Sequence, residues 1–383
     1  KCWVQVIFLL LGKTYLCSSF LYCFSYSDLQ GFSENALRRK SERVGVKMLA
    51  ETKEINPKNR LKTSFPKIKT YLSKWGLLFV IVLAIIFPII ADNYWVDVAV
   101  YWGIYVILGL SLNIIVGEVG LFNMGHSAFF AIGAYTTAIL SGKFALSLWL
   151  LIPISGFIAG VAGYLLAKPI IHLRGDYLLM VTIGLNEIVR ITLLNNPLGL
   201  TGGPNGIIML DQFKIFGYTI QRPIDFYYLV WIFVAITVII LIRLQNSRIG
   251  RCWNFVREDE IAAAAMGIDT HWAKLVAFTL GASIAGAAGT IFAAKIMVIS
   301  PESFTFMESV ILFCIVILGG MGSIPGVILG SAGMMVLPEL LRNFAQYRML
   351  FFGLALVFMM IFRPQGLWPS KRWITILREG EET

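Results

Sequence analysis

The sequence predicts an all-α fold, a polytopic transmembrane helical bundle of eight to ten spans with one short cytosolic helix. The first observation is composition: the 383 residues are 57% hydrophobic and only 14% charged. Soluble domains average about 25% charged residues, so a soluble core this apolar would lack the polar surface to cover it. The second observation is that the apolar residues form long continuous runs instead of the short alternating segments of a membrane barrel.

Ten apolar runs approach the length of about 20 residues that a spanning helix needs. They cover residues 75–91, 98–116, 119–142, 144–167, 177–195, 226–242, 275–294, 306–321, 323–340 and 347–362. Some runs are short, and the stretch 117–130 is open to a partly re-entrant path. Eight to ten spans are therefore expected.

Four parts of the chain are expected from these runs. Residues 1–47 form an N-terminal extension with two open interpretations, an extra helix or a segment upstream of a natural start at Met48. Residues 48–74 form a basic cytosolic segment, and residues 75–363 form the transmembrane domain. Within that domain a polar loop occupies about 243–273, and residues 364–383 form a cytosolic tail.

The positive charge gives the orientation. The net charge is +10, and residues 1–74 hold 14 Lys/Arg against 5 Asp/Glu, which is +9 of it. A basic flank before the first long apolar run indicates its cytosolic side. An even number of spans with both termini in the cytosol fits the loops best, although Lys295, Arg342 and Arg348 fall on the wrong side. No basic groove with interleaved aromatic residues follows, so nucleic-acid binding is not expected.

Polar residues inside the apolar runs are candidates for a translocation path or gate. Glu187 and Arg190 are three residues apart in one run and share a helical face, so they can pair. A pair that only fixes helix packing and a role at the path or gate both stay open, and the adjacent Asn186 shares the second possibility. Glu187 is the only strong candidate for an ion-coupling acid within the spans.

The stretch "LTGGPNGI" (200–207) is a turn cluster, because its glycines permit positive φ and Pro204 fixes a bend. A plain loop outside the membrane is one interpretation. Unwound backbone lining the path is the other, with Gly202, Gly203 and Asn205 as its candidate residues.

Small residues recur every four positions in two runs, as expected where helices pack closely in lipid. The candidates for helix packing are Gly281, Ala285, Gly289, Gly322, Gly326 and Gly330. The cluster Gly319, Gly320, Gly322 and Pro325 predicts a break at a membrane edge or within a broken helix.

The stretch "GRCWNFVREDEIAAAAMGID" (250–269) predicts a short water-exposed helix of about two turns. Acids favour its amino end and glycine its carboxyl end. A slim alanine-rich helix suits docking in a groove of a partner protein, while an ordinary connector is the alternative. The candidate coupling residues are Arg257, Glu258, Asp259, Glu260, Ala262, Ala263, Met266 and Gly267.

This stretch resembles the coupling loop of ATP-binding-cassette (ABC) importer permeases. Glu260, Ala262, Ala263 and Gly267 match its Glu-Ala-Ala…Gly pattern with one inserted residue, while the usual closing Ile-x-Leu-Pro is missing. Further motifs, spread across roughly residues 75–370, resemble the branched-chain amino-acid permease family, in particular its longer, LivM-type member. They are "GLFNMGHSAFFAIGAY" (120–135), "LRGDYLLMVTIGLNEIVR" (173–190), "LTGGPNGI", "SRIGRCWNFVREDEIAAAAMGI" (247–268), "LGGMGSIPGVILG" (318–330) and "FRPQGLWP" (362–369).

The resemblance implies a multi-pass permease subunit in a bacterial inner membrane. Implied partners are a second homologous permease, two cytosolic ATP-binding subunits and a periplasmic or surface substrate-binding protein. The implied cargo is leucine, isoleucine or valine, or another amino acid or urea. ATP and Mg²⁺ would bind the partner ATPases, so no cofactor is expected on this chain.

The sequence does not indicate an enzyme, since it contains no recognisable set of catalytic residues. "GKT" (12–14) lacks the earlier glycine of a P-loop. The three histidines lack the i,i+4 spacing of a metal site. The rival function class is an ion-coupled secondary transporter of small polar solutes, and a channel comes third.

Overall fold

The structure is a computed structural model that describes residues 86–340 except positions 145, 174, 210, 216–217 and 221, together with Gly353, Val357 and 366–368. The predicted extension and basic segment lie outside the described residues. So do most of the apolar runs 75–91 and 347–362 and nearly all of the C-terminal tail.

Long α-helices follow one another from Asn93 to Leu340. Their starts agree with local sequence signals: Pro223 opens one helix, where its missing N–H is not needed, and the Asp269 carboxylate caps another. The helices are α1 Asn93–Asn113, α2 His126–Phe144, α3 Leu148–Ile170, α4 Asp176–Leu194, α5 Pro223–Asn246, α6 Arg248–Glu258, α7 Glu260–Ala265, α8 Thr270–Ile296, α9 Phe306–Gly319 and α10 Ile324–Leu340.

Five helices among the described residues are long and apolar enough to cross a membrane: α1 with its continuation to Val119, α3, α4, α5 and α8. The predicted polytopic helical bundle is confirmed. Its number of spans stays a prediction, because the outermost two apolar runs fall mostly outside the described part.

The core forms around α1 and α8, the two helices with the most buried residues among these five. α1 packs against α5, α8, α9 and α10, while α8 packs against α2 and α3. α4 is the least buried of the five and leaves large apolar side chains such as Tyr177, Met180 and Ile188 exposed.

α1 continues into a π-helical turn, Ile114–Val119, and the chain then reverses at Gly120, whose φ is 81°. α2 starts at His126, whose Nε2 lies 2.7 Å from Ser111 Oγ on α1. Ser111 lies roughly 12 Å of helix before Val119, so α2 begins inside the bundle. The predicted run 119–142 was therefore wrong at its start, because a glycine-rich loop replaces its first turns.

α9 and α10 are shorter than the predicted runs 306–321 and 323–340. At 1.5 Å per residue α9 measures about 21 Å and α10 about 26 Å as far as Leu340, where the continuously described residues end, against about 30 Å for the hydrocarbon core of a bilayer. They are joined by a turn in which Gly320 and Gly322 have φ of 112° and 81°, conformations that glycine adopts without strain. The predicted break is confirmed here, and α9 is too short to be a straight, complete span.

α9 also begins inside the bundle. Residues 300–305, which are not α-helical, lead to it, and the buried Phe304 packs its ring 5.1 Å from that of Phe130 on α2. Ser309, in the first turn of α9, donates to Ser127 Oγ at 2.8 Å. Irregular backbone at membrane depth is tolerated where protein surrounds it. The amino ends of α2 and α9 therefore meet in the interior.

Small residues bring α8 close to its neighbours, as predicted for Gly281, Ala285 and Gly289. A Cβ at Gly281 would lie 3.0 Å from the Ser111 carbonyl oxygen, and one at Gly289 would lie 2.6 Å from the Ala134 nitrogen. Ala285 is fully buried. α1 and α2 thus approach α8 at backbone distance.

The second predicted glycine row holds only in part. Gly326 and Gly330 face α9, where a Cβ at Gly330 would lie 2.8 Å from the Gly319 nitrogen. Gly322 does not belong to this helical face, because α10 begins only at Ile324 and Gly322 lies in the preceding turn.

The end of the bundle that carries residues 247–269 is called the α6–α7 end below. At the opposite end, Lys295 on α8 forms an ion pair of 2.5 Å with Asp97 on α1. Two short antiparallel ribbons also lie there, β1 (Ile207–Ile208) with β4 (Val298–Ile299) and β2 (Lys214–Ile215) with β3 (Tyr218–Thr219).

Candidate functional site

The predicted coupling stretch forms two helices instead of one. The chain breaks at Asp259, whose Oδ1 accepts hydrogen bonds from Ile261 N at 2.8 Å and Ala262 N at 3.1 Å, the pattern of an N-cap. Arg257 and Glu258 therefore end α6. The prediction that Glu258 opens the short helix with the other two acids was wrong. The acidic cap competes with the helix continuing from α6, which explains the break.

The carboxyl end of α7 confirms the predicted glycine cap. Gly267 has φ 83°. Its N–H donates to the Ala264 carbonyl at 3.0 Å, and the Ile268 N–H donates to the Ala263 carbonyl at 3.1 Å. This paired arrangement is the Schellman motif, which ends a helix and turns the chain sharply. α7 is consequently fixed at both of its ends.

The inward side of this segment is attached to α8. Trp253 on α6 is buried and donates its indole N–H to the Ala273 carbonyl at 2.8 Å. Glu260 accepts from the almost fully buried Lys274 Nζ at 2.6 Å. Ala263 is buried as well. Glu260 and Ala263 are therefore occupied within the chain, which leaves other residues to meet a partner.

The outward side of the segment is apolar. Met266 is 83% exposed and Ile261 is 70% exposed, and Phe255 on α6 and Trp272 at the start of α8 are also exposed. Glu258, Asp259, Ala262 and Gly267 are exposed too. Sequence reasoning missed Ile261, Phe255 and Trp272. An apolar residue directly after three acids was the available signal for Ile261. We name these four apolar residues, Phe255, Ile261, Met266 and Trp272, the α7 patch.

Arg257 faces the interior, in contrast to the sequence expectation that it meets a partner. Its guanidinium donates to the Gly117 carbonyl in the π-helical turn of α1. A Cβ at Gly322 would lie 3.1 Å from the same guanidinium, and the Gly322 N–H donates to Asn113 Oδ1 at 2.9 Å. Arg257 thereby joins α6 to the end of α1 and to the turn between α9 and α10.

Glu187 and Arg190 form the predicted pair on α4. Arg190 Nε lies 3.0 Å from both Glu187 carboxylate oxygens, and the Arg190 Nη2 group also donates to Oε1. Their side chains are 41% and 26% exposed. Since charge at membrane depth is costly, this face of α4 is expected to meet protein or water instead of lipid.

We expect Glu187→Leu and Arg190→Leu each to reduce the yield of folded protein. The double charge swap, Glu187→Arg with Arg190→Glu, is expected to restore it. Each single change leaves an unpaired charge, which costs about 3 kcal/mol near the bilayer centre, while the swap keeps the pair. The yield of monodisperse protein and its unfolding temperature are the measurements. A swap that fails to rescue would contradict a purely structural pair.

Asn186, one residue before this pair, points inward. It is 1% exposed, and its Oδ1 accepts from Ser127 Oγ at 2.6 Å. Adjacent residues on a helix point about 100° apart, which separates Asn186 from the exposed Glu187. The structure therefore does not bring the three α4 candidates to one site.

The turn cluster 200–207 lies near the opposite end of the bundle. Gly202 and Gly203 have φ of 70° and 60°, and Asn205 is exposed. The Gly202 N–H and the Thr201 N–H both donate to Asn196 Oδ1, at 3.1 and 2.8 Å. These glycine candidates thus lie near the end of the bundle opposite to the α7 patch.

Two contacts were missed because their residues are distant in sequence. Glu308 in the first turn of α9 accepts a hydrogen bond from the Tyr105 hydroxyl, so Glu187 is not the only acid within the apolar runs. His172 and His271 bring their rings to 4.9 Å at the α6–α7 end. Within the described residues, no three His, Cys, Asp or Glu side chains form a group that could hold a metal ion.

Comparison with known proteins gives a family match over most of this bundle. The family described as "Branched-chain amino acid transport system / permease component" matches residues 94–362. The match includes the α6–α7 segment, α4 and the interior ends of α2 and α9.

Individual relatives agree with that match. The chain is 44% identical to the high-affinity branched-chain amino acid transport system permease protein LivM of Escherichia coli (strain K12) over 334 residues, covering 81% of this chain and 78% of the relative. It is 43% identical to the LivM protein of Salmonella typhimurium, covering 82% and 79%. It is also 25% identical to the E. coli permease protein LivH, covering 59% and 78%. No solved structure matches.

Proposed function

Because the chain belongs to the branched-chain amino acid transport permease family, we propose that it forms half of the translocation path of an ATP-driven importer for leucine, isoleucine and valine. It is a multi-pass membrane permease of an ABC importer. Its family indicates a transporter and gives no sign of a catalytic enzyme. The observation that carries the proposed coupling role is the α7 patch, a set of exposed apolar side chains on and next to a short helix that is capped at both ends.

The α7 patch suits a groove on an ATPase subunit. Ile261 and Met266 are presented by α7, which Asp259 and Gly267 terminate and which Lys274 holds against α8 through Glu260. Pre-organised apolar anchors of this kind lose little conformational entropy on docking. Two cytosolic ATPases, which bind ATP and Mg²⁺, are the proposed partners, and this assigns the α6–α7 end and both termini to the cytosol.

Arg257 supports transmission from this docking site into the membrane. Docked ATPases move α6 and α7, and Arg257 connects α6 with the Gly117 carbonyl and the Gly322 turn. α9 ends at that turn, and its amino end lies in the interior. Movement at the α7 patch is thereby passed to α1 and α9, which are packed helices and not loose loops.

The remaining partners follow from the family and the orientation. A substrate-binding protein in the periplasm or on the cell surface would deliver the amino acid to the opposite end, near the glycine turn at 200–207. A second, LivH-like permease would cover the exposed face of α4, where the Glu187–Arg190 pair otherwise faces lipid. The proposed location is the inner membrane of a bacterium.

The proposal is tested by reconstituting the chain in liposomes with a LivH-type permease, the two ATPases and the binding protein. We expect uptake of L-leucine that requires ATP and stops when any subunit is omitted. Uptake by the chain alone, driven by a proton or sodium gradient, would instead establish the ion-coupled alternative, in which Glu308 and Glu187 are the acids to examine first.

A further inference from the structure

Five buried polar residues lie at or beside the place where the amino ends of α2 and α9 approach each other. We name them the interior polar cluster: Asn123, His126, Ser127, Asn186 and Ser309. Each is at most 1% exposed. By helix length the cluster lies roughly 12–15 Å from the α6–α7 end, which is close to the middle of a hydrocarbon core about 30 Å thick.

One chain of hydrogen bonds connects three of these residues. The Ser127 N–H donates to Ser309 Oγ at 3.0 Å, and the Ser309 hydroxyl donates to Ser127 Oγ at 2.8 Å. The Ser127 hydroxyl in turn donates to Asn186 Oδ1 at 2.6 Å. The carbonyl side of the Asn186 amide is thereby satisfied, and its NH₂ group is not used.

Three polar atoms of the cluster have no hydrogen-bond partner within the described part of the chain: Asn186 Nδ2, Asn123 Nδ2 and His126 Nδ1. Asn123 uses its Oδ1 to accept from Gly125 N at 2.9 Å, so it too presents only its NH₂ group. An unsatisfied buried polar group costs about 1–3 kcal/mol, so three at or beside the start of α2 need an explanation.

Proton accounting shows that His126 offers an acceptor. Ser111 Oγ donates its single proton to the Leu108 carbonyl at 2.7 Å. The 2.7 Å contact between Ser111 Oγ and His126 Nε2 must therefore be donated by the histidine. In the neutral ring the proton is on Nε2, and Nδ1 carries a free lone pair. The cluster thus leaves two donors and one acceptor unused.

We propose that the interior polar cluster binds the zwitterionic head group of the transported amino acid. The NH₂ groups of Asn186 and Asn123 donate to its carboxylate, and His126 Nδ1 accepts from its ammonium group. The amino ends of α2 and α9 add positive partial charge, as the amino ends of interrupted helices do at transporter sites. This inference rests on the proposed function, since it takes the solute to be an amino acid.

The test uses two substitutions of Asn186 that separate binding from structure. Asn186→Asp keeps the Oδ1 acceptor for Ser127 and replaces only the unused NH₂ group. Asn186→Leu removes both. If Asn186 merely fixes helices, the Asp variant should import L-[³H]leucine in the complete reconstituted importer as the wild type does. If Asn186 holds the carboxylate, both variants should lose about tenfold or more of the uptake rate.

Variants are compared only where they co-purify with the ATPases and keep the wild-type unfolding temperature. Asn123→Asp, which keeps the bond from Gly125 N, serves as a second test should Asn186→Asp fail to fold. The control is Ser155→Ala, in a separate buried hydroxyl network where Ser155 Oγ contacts Thr290 Oγ1 at 2.6 Å, and its uptake should stay within about twofold.

The outcomes separate the two levels of inference. A wild-type importer that takes up no leucine would overturn the proposed function and this site with it. If the wild-type importer takes up leucine and the folded Asp variants take it up at the same rate, this site alone is overturned. Loss of uptake in folded Asn186→Asp with an unaffected Ser155→Ala supports it.

Discussion

Leucine uptake by the reconstituted importer is expected to fall by roughly thirtyfold or more when Ile261 is replaced with aspartate. Ile261 is 70% exposed in the α7 patch, and an apolar anchor at the centre of an interface typically contributes 2 kcal/mol or more to binding. The measurements are ATP-dependent uptake and co-purification with the ATPases.

The matched control for this prediction is Ile208→Asp. Ile208 is 69% exposed in β1 at the opposite end of the bundle, so the change in side-chain chemistry and exposure is the same. We expect the control to retain co-purification. If Ile261→Asp co-purifies as well as the control does, the α7 patch does not bind the ATPases.

A second large effect is expected from Gly133→Leu, which should abolish folded protein. Gly133 on α2 touches α8, and a Cβ at this position would overlap the backbone of Gly286. Because the obstacle is backbone, neither helix can relax by changing a rotamer, and the cost is expected to exceed the about 1–3 kcal/mol of ordinary overpacking. The measurement is the yield of monodisperse protein in detergent.

Gly142→Leu on the same helix is the control for Gly133→Leu. A Cβ at Gly142 meets no atom of the described chain within 4 Å. Both variants therefore replace a helical glycine, but only Gly133→Leu clashes with a neighbouring helix. We expect Gly142→Leu to fold. Equal loss of folded protein in both variants would contradict the close approach of α2 and α8.

Short-range features of the coupling segment could be predicted from the sequence because their causes are local. A carboxylate caps the next N–H groups, and Gly267 provides the positive φ that ends α7. The Glu187–Arg190 pair was equally accessible, since spacing of three places both side chains on one helical face. In each case the interacting atoms lie within one or two helical turns.

Contacts between distant segments could not be predicted in the same way. Ser127 and Asn186 are on different helices, and only the packing of α2 against α4 brings their side chains together. Arg257 looked like a surface charge among acids, yet its guanidinium meets a π-helical turn of α1. One sequence carries no signal for such pairs, because hydrophobic periodicity specifies which residues are buried and not which helix they meet.

The burial of individual residues decides which coupling variants are informative. A tryptophan at Ala263 would test burial against α8 more than docking, because Ala263 is 4% exposed. Ile261 and Met266, at 70% and 83% exposure, are residues that a partner can reach. The sequence pattern therefore predicts a short capped helix in this segment, while the fold decides which of its side chains face outward.

The connection of α9 to the turn at Gly322 makes this helix a lever arm. Ser309 lies roughly 15 Å along the axis from the end of α9, so a tilt of about 10° about that end would displace it by nearly 3 Å by the same geometry. A shift of that size exceeds what the 3.0 Å bond between Ser127 N and Ser309 Oγ can absorb. We therefore expect a spin label on α9 near Ser309 to change its distance from α2 between ATP-bound and ATP-free importer, and an unchanged distance would exclude this tilt.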